Sequence, residues 1–314
     1  MTEPHPLFLR LMRRCGLSAD DVASDPRWAE LARRISRTYV ENDEDRYLRE
    51  RSLDISSREM QELNAALAEE RRRLQGELVV AQNLQVSILP RDLRTARFEV
   101  AARMIPATEV GGDYYDVIPV EDGCWIGIGD VAGHGLRAAV IMTMVQSMTA
   151  ALIRHIPTIA PREVMVTLNR GVRENVFSRM RFDNHVTMTL FRCAHDGTVT
   201  FAGAHEAILV LRGDVCEEVD TPGTWLGPVD DIASATTDSA LRLDAGDVMV
   251  LYTDGVLEAR NAAREEYGLD RLKSRILALR SEPVAVICDA VIASVRDHQA
   301  TADDDITVLA YRRL

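Results

Sequence analysis

Four apolar, β-branched runs in this chain adjoin carboxylates, and no other feature constrains its fold as much. They read Val110-Gly-Gly-Asp113-Tyr-Tyr-Asp116, Gly127-Ile-Gly-Asp130-Val-Ala-Gly-His-Gly135, Leu251-Tyr-Thr-Asp254-Gly255 and Asp303-Asp304-Asp305-Ile-Thr307. Clustered anions repel one another and resist burial, so strands that end this way do not do so for stability. A fold that gathers these ends needs cations among them, and hard oxygen ligands favour Mg²⁺ or Mn²⁺. That chemistry points to metal-assisted work on a phosphate.

The bulk numbers narrow the field. At 314 residues the chain has room for two domains, one with a substantial core. A net charge of −12 argues against nucleic acid as the main partner, although a metal can reverse the field locally. Cys15, Cys124, Cys193, Cys216 and Cys288 are dispersed, with no C-x-x-C pair, and read as reduced thiols. No run approaches the ~20 apolar residues of a membrane span. The opening Met-Thr-Glu-Pro-His-Pro lacks the regions of a signal peptide. The expectation is a cytoplasmic protein with no membrane and no nucleic-acid partner.

The chain divides at Pro90. Before it everything reads as helix, with a helical N-terminal region over 1–42 and a linker helix over 43–90. Leu7, Leu9, Leu11 and Met12 open a short helix that Gly16 breaks, and Ser18 is placed to cap the next. Asp25-Pro26 starts another, with Trp28, Leu31, Ile35 and Tyr39 along one face. Leu53, Met60, Leu67, Leu74, Ala81 and Ile88 then recur every seventh residue, while Ser56, Glu70 and Glu77 leave alternate seam positions polar. That is an imperfect coiled coil, read as self-association into an adjustable homodimer, the alternative being a solvated helix lying on its own catalytic domain. From 91 to 314, short β runs start at Phe98, Cys124, His185, Thr198, Ala207 and Asp247. Helices over 136–155, 161–177, 269–279 and 283–295 interrupt them. Hairpins with helices grouped between them predict an α+β fold of antiparallel sheets covered by helices.

Taken singly, each acidic patch is ambiguous. Asp130 closes a strand and leads through Ala132-Gly133-His134-Gly135 into a helix, so it reads equally as a ligand or as an N-capping residue. Asp113 follows Gly111-Gly112, where backbone can approach a metal or phosphate. Asp254 closes the strongest strand, and Gly255 follows it. Asp303-Asp304-Asp305 alone is most often a solvated turn.

In combination they resemble a known family. VGGDYYDV, GIGDVAGHG, AGAH, PGTWLG, GDVMVLYTDGVLEARN and DDDITVLAYR come in the order and at the spacing of the metal-dependent protein phosphatases (PPM), in the bacterial SpoIIE/RsbU branch. The resemblance covers about residues 84–314. It implies an α-β-β-α sandwich of two antiparallel sheets with two Mn²⁺ or Mg²⁺ ions at one edge. Asp130 would bridge the metals, the Val131 carbonyl would be a further ligand, and Asp113, Asp254 and Asp304 would complete the set. Asp130 and Asp113 are thus the catalytic candidates, and Asp305, Gly255 and His134 secondary ones. His134, between two glycines, is read as stabilising its loop, with general acid as the alternative. Two cations ~4 Å apart can activate a hydroxide and clamp phosphoryl oxygens, which suits a chain with no evident Ser/His/Asp or Cys-x₅-Arg nucleophile. The implied reaction is direct hydrolysis of a phosphoserine or phosphothreonine protein, and the implied substrate a phosphorylated STAS-type anti-sigma-factor antagonist. The rival readings are a phosphatase fold that only binds a partner and a small-molecule phosphohydrolase.

Overall fold

A computed structural model describes residues 5–18, 20–21 and 26–314, which fall into two compact units, Met1–Gly76 and Glu77–Leu314. In the first unit, helix α1 (Pro6–Arg14) starts at a proline and has His5 as its N-cap. Gly16 leaves it with φ 75°, and Ser18 exchanges hydrogen bonds with Asp21, as the capping pattern predicts. Asp25 lies outside the described residues, so its part in starting the next helix is not seen. Helix α2 (Pro26–Ile88) then runs without a break. Phe8 and Met12 of α1 are buried against Ala32, with Ile35 and Tyr39 beside them. The expected apolar face of α2 is therefore shifted: Trp28 and Leu31 stay exposed, because Ala32 gives α1 room to approach. Leu53, Met60, Leu67 and Leu74 are all exposed.

In the second unit, the last turns of α2 bury a different stripe, with Gln85 buried and Leu78, Ala81 and Gln82 half-buried. The helix stops two residues before Pro90. Strands β1 (Leu93–Arg94), β2 (Phe98–Ile105), β3 (Tyr114–Val120) and β4 (Gly123–Val131) follow. Then come α3 (Leu136–His155) and α4 (Pro161–Val172). Next are β5 (Val186–Ala194), β6 (Thr198–Ala204), β7 (Ile208–Arg212), β8 (Val215–Val219), β9 (Ser239–Arg242) and β10 (Val248–Tyr252). The chain closes with α5 (Asp254–Leu257), α6 (Gly268–Ala278), α7 (Val284–His298) and β11 (Ile306–Arg313). The strands form two antiparallel sheets, β1-β2-β11-β10-β7-β8 and β3-β4-β5-β6-β9.

Strand alternation sorts side chains into three cores. In β4, Cys124, Ile126 and Ile128 point between the sheets, where they meet Phe191, Phe201, Leu309 and Tyr311. Trp125 and Val131 point the other way, onto Ile141, Met142 and Val145 of α3 and Leu168 of α4. On the far side Val248, Val250 and Tyr252 of β10 pack under Leu272 of α6 and Ile287 and Val291 of α7. The result is the α-β-β-α sandwich that the motifs imply.

Two expectations change. The helix expected over 161–177 stays α-helical only to Val172. Arg173–Met180 winds as a π-helix that keeps Val176 buried and ends at Arg181 with φ 57°. Leu136–His155 is, among the described residues, one helix long and apolar enough to cross a membrane by length and composition. Here it is a core helix, with Ala138, Ile141, Met142, Val145 and Ile153 buried against the sheet.

Candidate active site

The four acidic strand ends meet at one edge of the sandwich, and the register explains why. Tyr114 pairs with Gly129, so Asp113 and Asp130 lie side by side where β3 begins and β4 ends. Tyr252 pairs with Val308 in the other sheet and the Thr253 N–H donates to the Thr307 carbonyl, so Asp254-Gly255 comes beside the Asp304-Asp305 segment that leads into β11. Asp113 ties the two sheets together. Its Oδ2 accepts hydrogen bonds from the Thr307 hydroxyl at 2.5 Å and the Thr253 hydroxyl at 2.9 Å. Thr253 Oγ1 in turn accepts the Thr307 N–H at 3.0 Å.

The Gly111-Gly112 pair is there for close approach. A Cβ on Gly111 would come within 2.6 Å of the Asp305 carboxylate, and one on Gly112 within 3.0 Å of the Val131 carbonyl and 3.2 Å of Asp130 Oδ1. Gln85 of α2 holds this loop from behind: its Nε2 donates to the Gly111 carbonyl at 2.7 Å, and its Oε1 accepts the Gly111 N–H at 3.1 Å. Beyond Asp130, the turn into α3 uses Gly133 and Gly135 at φ 94° and 79°.

The adjacent pair Asp304 and Asp305 splits. Asp305 is buried and accepts N–H groups from Ala107 at 2.7 Å, Gly112 at 2.5 Å and Asp113 at 3.4 Å, so it fixes the 107–113 loop. Asp304 faces a cavity of about 450 Å³ together with Asp130 and Asp254. Also on the lining are Gly133, His185, Thr187, His205, Glu206 and Trp225. Asp113, only 1% exposed, stands behind that lining. Gly255 donates its N–H to Asp254 Oδ1 at 2.9 Å and packs its Cα on the Asp305 carbonyl. Asp116 lies away from the cavity along β3, where burial pushes its carboxyl up to about 6.

The carboxylates strain against one another. Burial, then the charges of Asp254, Asp304 and Asp305, pushes Asp130 up to about 7. Burial, then the charge of Asp130, raises Asp113 well above the carboxylate range. Asp254 is raised by burial and Glu258, and Asp304 by burial together with Asp254 and Asp305. Among the described residues, no three such side chains are drawn together tightly enough to form a metal cage. The donor set itself fits a hard divalent cation: three carboxylates from three strand ends, all oxygen, each made more basic by anionic neighbours that a cation would neutralise.

Two histidines stand near the site in different settings. His134 is exposed and, among the described residues, makes no side-chain hydrogen bond. Its loop is held instead by Asn184, whose Nδ2 donates to the Ala132 carbonyl at 2.6 Å. His205 pairs its Nδ1 with Thr187 Oγ1 at 3.0 Å, while its Nε2 turns toward the Tyr252 carbonyl without forming a well-shaped hydrogen bond. Burial pushes it down to about 4, so it is neutral near pH 7 and serves as a strut. Thr221 secures the chain at this point: its hydroxyl accepts the His205 N–H and donates to its carbonyl.

Residues 121–314 match the family described as Stage II sporulation protein E (SpoIIE). The chain belongs to the SpoIIE family. Over 250 residues it is 28% identical to "Phosphoserine phosphatase RsbU" of Bacillus subtilis, covering 76% of this chain and 71% of RsbU. Its fold matches the SiaA-PP2C domain of Pseudomonas aeruginosa with a TM-score of 0.67 at 21% identity, over 77% of this chain and 98% of that one. It also matches the PP2C phosphatase domain with a fragment of the regulatory domain of SpoIIE from Bacillus subtilis. There the TM-score is 0.56 at 19% identity, over 70% of this chain and 64% of the other. The SpoIIE-family chain is thus a phosphatase of the SpoIIE/RsbU branch with the PP2C fold, as its motifs imply, and metal dependence is a property of that class.

The residues that sequence reasoning missed are those with no motif of their own. Thr253, Thr307, Gln85, Asn184 and Thr221 act through hydrogen bonds to partners 16 to 194 positions away. Only Thr253 and Thr307 carried a signal, a hydroxyl one and three residues from a predicted ligand.

Proposed function

We propose that this protein hydrolyses phosphoserine or phosphothreonine on a protein, with two Mn²⁺ or Mg²⁺ ions held by Asp130, Asp254, Asp304 and the Val131 carbonyl. The observation that carries the reading is the convergence of Asp130, Asp254 and Asp304 on one cavity from three separate strand ends. When bound, the ions would supply Lewis acidity to the phosphoryl oxygens and lower the pKa of the attacking water. The chain's own residues do the rest. Asp130, whose charge couples to those of Asp113, Asp254 and Asp304, would be the central ligand. Asp113 positions Asp130 by fastening the β3 end to Thr253 and Thr307. Asp305 holds the Gly111-Gly112 backbone against Asp130 and Val131. Burial holds His205 neutral, which makes it a poor proton donor at pH 7.

The resemblance to the branch supports a phosphorylated STAS-type anti-sigma-factor antagonist as the substrate and a cytoplasmic setting. Exposed Leu53, Met60, Leu67 and Leu74 at heptad spacing on α2 support a homodimer through the N-terminal helices. The deciding experiment measures Mn²⁺-dependent phosphate release from a phosphoserine protein and from small phosphate esters, with Asp130→Asn as control. Equal rates in wild type and variant would sink the metal mechanism. A rate on small esters far above that on any phosphoprotein would favour a small-molecule phosphohydrolase.

A further inference from the structure

Part of the cavity lining has no role in gathering the carboxylates. Trp225 exposes 51% of its surface at the rim and stacks on His185, with ring centroids 4.5 Å apart and planes 14° from parallel. A single exposed tryptophan is ordinary. One held rigidly at the mouth of a site is a different matter, and this one is pinned on both sides. Leu226 exchanges two backbone hydrogen bonds with Val186, at 2.9 and 3.1 Å. Upstream, Thr221 is locked to His205, and between them Gly223 crosses Gly203 so closely that a Cβ would sit 2.6 Å from its carbonyl. The indole is therefore in place before any ligand arrives, which spares the ordering cost of binding.

Glu206 shares the cavity. It is half-buried and, among the described residues, has no hydrogen bond or ion pair, while the charges that act on it, Asp254 and Glu258, are themselves negative. A half-buried carboxylate without a partner, sharing a cavity with an aromatic face, matches a guanidinium. Its flat face stacks on indole and its N–H fork binds carboxylate.

We propose that Trp225, backed by His185, and Glu206 form a subsite for an arginine side chain of the phosphoprotein, close in sequence to the phosphoserine. This rests on the phosphatase reading above and deepens it: the site would select its substrate by a neighbouring positive charge.

The test uses the full chain with Mn²⁺ and a set of phosphoserine peptides in which arginine or glutamine occupies each flanking position in turn. p-Nitrophenyl phosphate reports the chemistry alone. At one flanking position, arginine should raise kcat/KM over glutamine roughly fivefold or more, mainly through KM, the range of a cation–π contact reinforced by a carboxylate. W225A and E206Q should bring that ratio toward one, losing more on the arginine peptide than on p-nitrophenyl phosphate, and W225F should keep most of it. A wild type indifferent to arginine at every position would overturn the proposal. So would an arginine preference that survives in both W225A and E206Q, or losses equal on peptide and ester, which would mean a role in the chemistry. If W225A fails to fold, E206Q and W225F still decide the matter. Absence of Mn²⁺-dependent hydrolysis on the ester and all peptides would overturn the phosphatase reading itself, and the subsite with it.

Discussion

Asp130→Asn separates a carboxylate kept for function from one kept for stability. In the metal-free protein, burial and the charges of Asp254, Asp304 and Asp305 move Asp130 from 3.8 to about 7. Each tenfold weakening of an acid corresponds to 1.36 kcal/mol, so at pH 8 the ionised group costs the fold ~4 kcal/mol, and at pH 5 less than ~2 kcal/mol. The sign follows from proton binding. Between pH 3.8 and 7 the folded protein holds more protons at this site than the unfolded chain, so stability from this group falls as pH rises. Asparagine has a similar shape and no charge. In EDTA, Asp130→Asn should therefore be more stable than wild type by up to ~4 kcal/mol at pH 8, and the gap should narrow at pH 5. Urea denaturation at the two pH values reads this: Asp116, raised to about 6, is common to both proteins and cancels, while Asp113, raised in part by the Asp130 charge, is relieved in the variant and acts in the same direction. Mn²⁺ at a hundred times its dissociation constant should then stabilise wild type by ~2.7 kcal/mol and leave the variant nearly unmoved. A metal-free Asp130→Asn that is less stable than wild type at pH 8 would refute the reasoning, because the carboxylate would then be earning its place through native contacts.

Four further outcomes follow from particular side chains. Asp305→Ala strips the acceptor from the N–H groups of Ala107, Gly112 and Asp113 and should cost ~3 kcal/mol in urea unfolding. Asp304→Asn should leave stability within about 1 kcal/mol yet lower metal-dependent turnover roughly a hundredfold; the reverse pattern would exchange the roles of the two residues. Gln85→Ala removes both hydrogen bonds to Gly111, which should cost ~1–2 kcal/mol and raise the Mn²⁺ concentration for half-maximal activity. An unchanged Mn²⁺ titration would show that the loop does not need α2. Leu53→Glu with Leu67→Glu should convert a dimer to a monomer in sedimentation equilibrium, and a wild type already monomeric at ~100 μM would remove the coiled-coil pairing.

Much of this molecule is written locally. The alternation of Cys124, Ile126 and Ile128 with Trp125 and Val131, the helical stretch 136–155 and the glycines beside each acid are all near-neighbour patterns. Hydrophobic period and turn chemistry therefore sufficed to place these strand ends and order the acidic patches, while singling out Asp130, Asp254 and Asp304 took the resemblance of the combined motifs to a known family. The short strands β1, β8 and β9 escaped because their residues are exposed or half-buried, without the buried apolar run that marks β7 and β10. The same patterns could not tell what each carboxylate faces. Asp304 and Asp305 are adjacent and chemically identical, and successive side chains of extended backbone point in opposite directions. Only the arrival of Gly111-Gly112 from nearly two hundred residues away turned one into a loop anchor and left the other at the cavity. Likewise Asp113 became a tie between sheets when Thr253 and Thr307 closed on it, and Trp225 became a platform because Gly203 lets Gly223 cross. Sequence determined which strand ends carry charge; the packing of the two sheets decided which of those charges meet solvent, which meet backbone, and which meet each other.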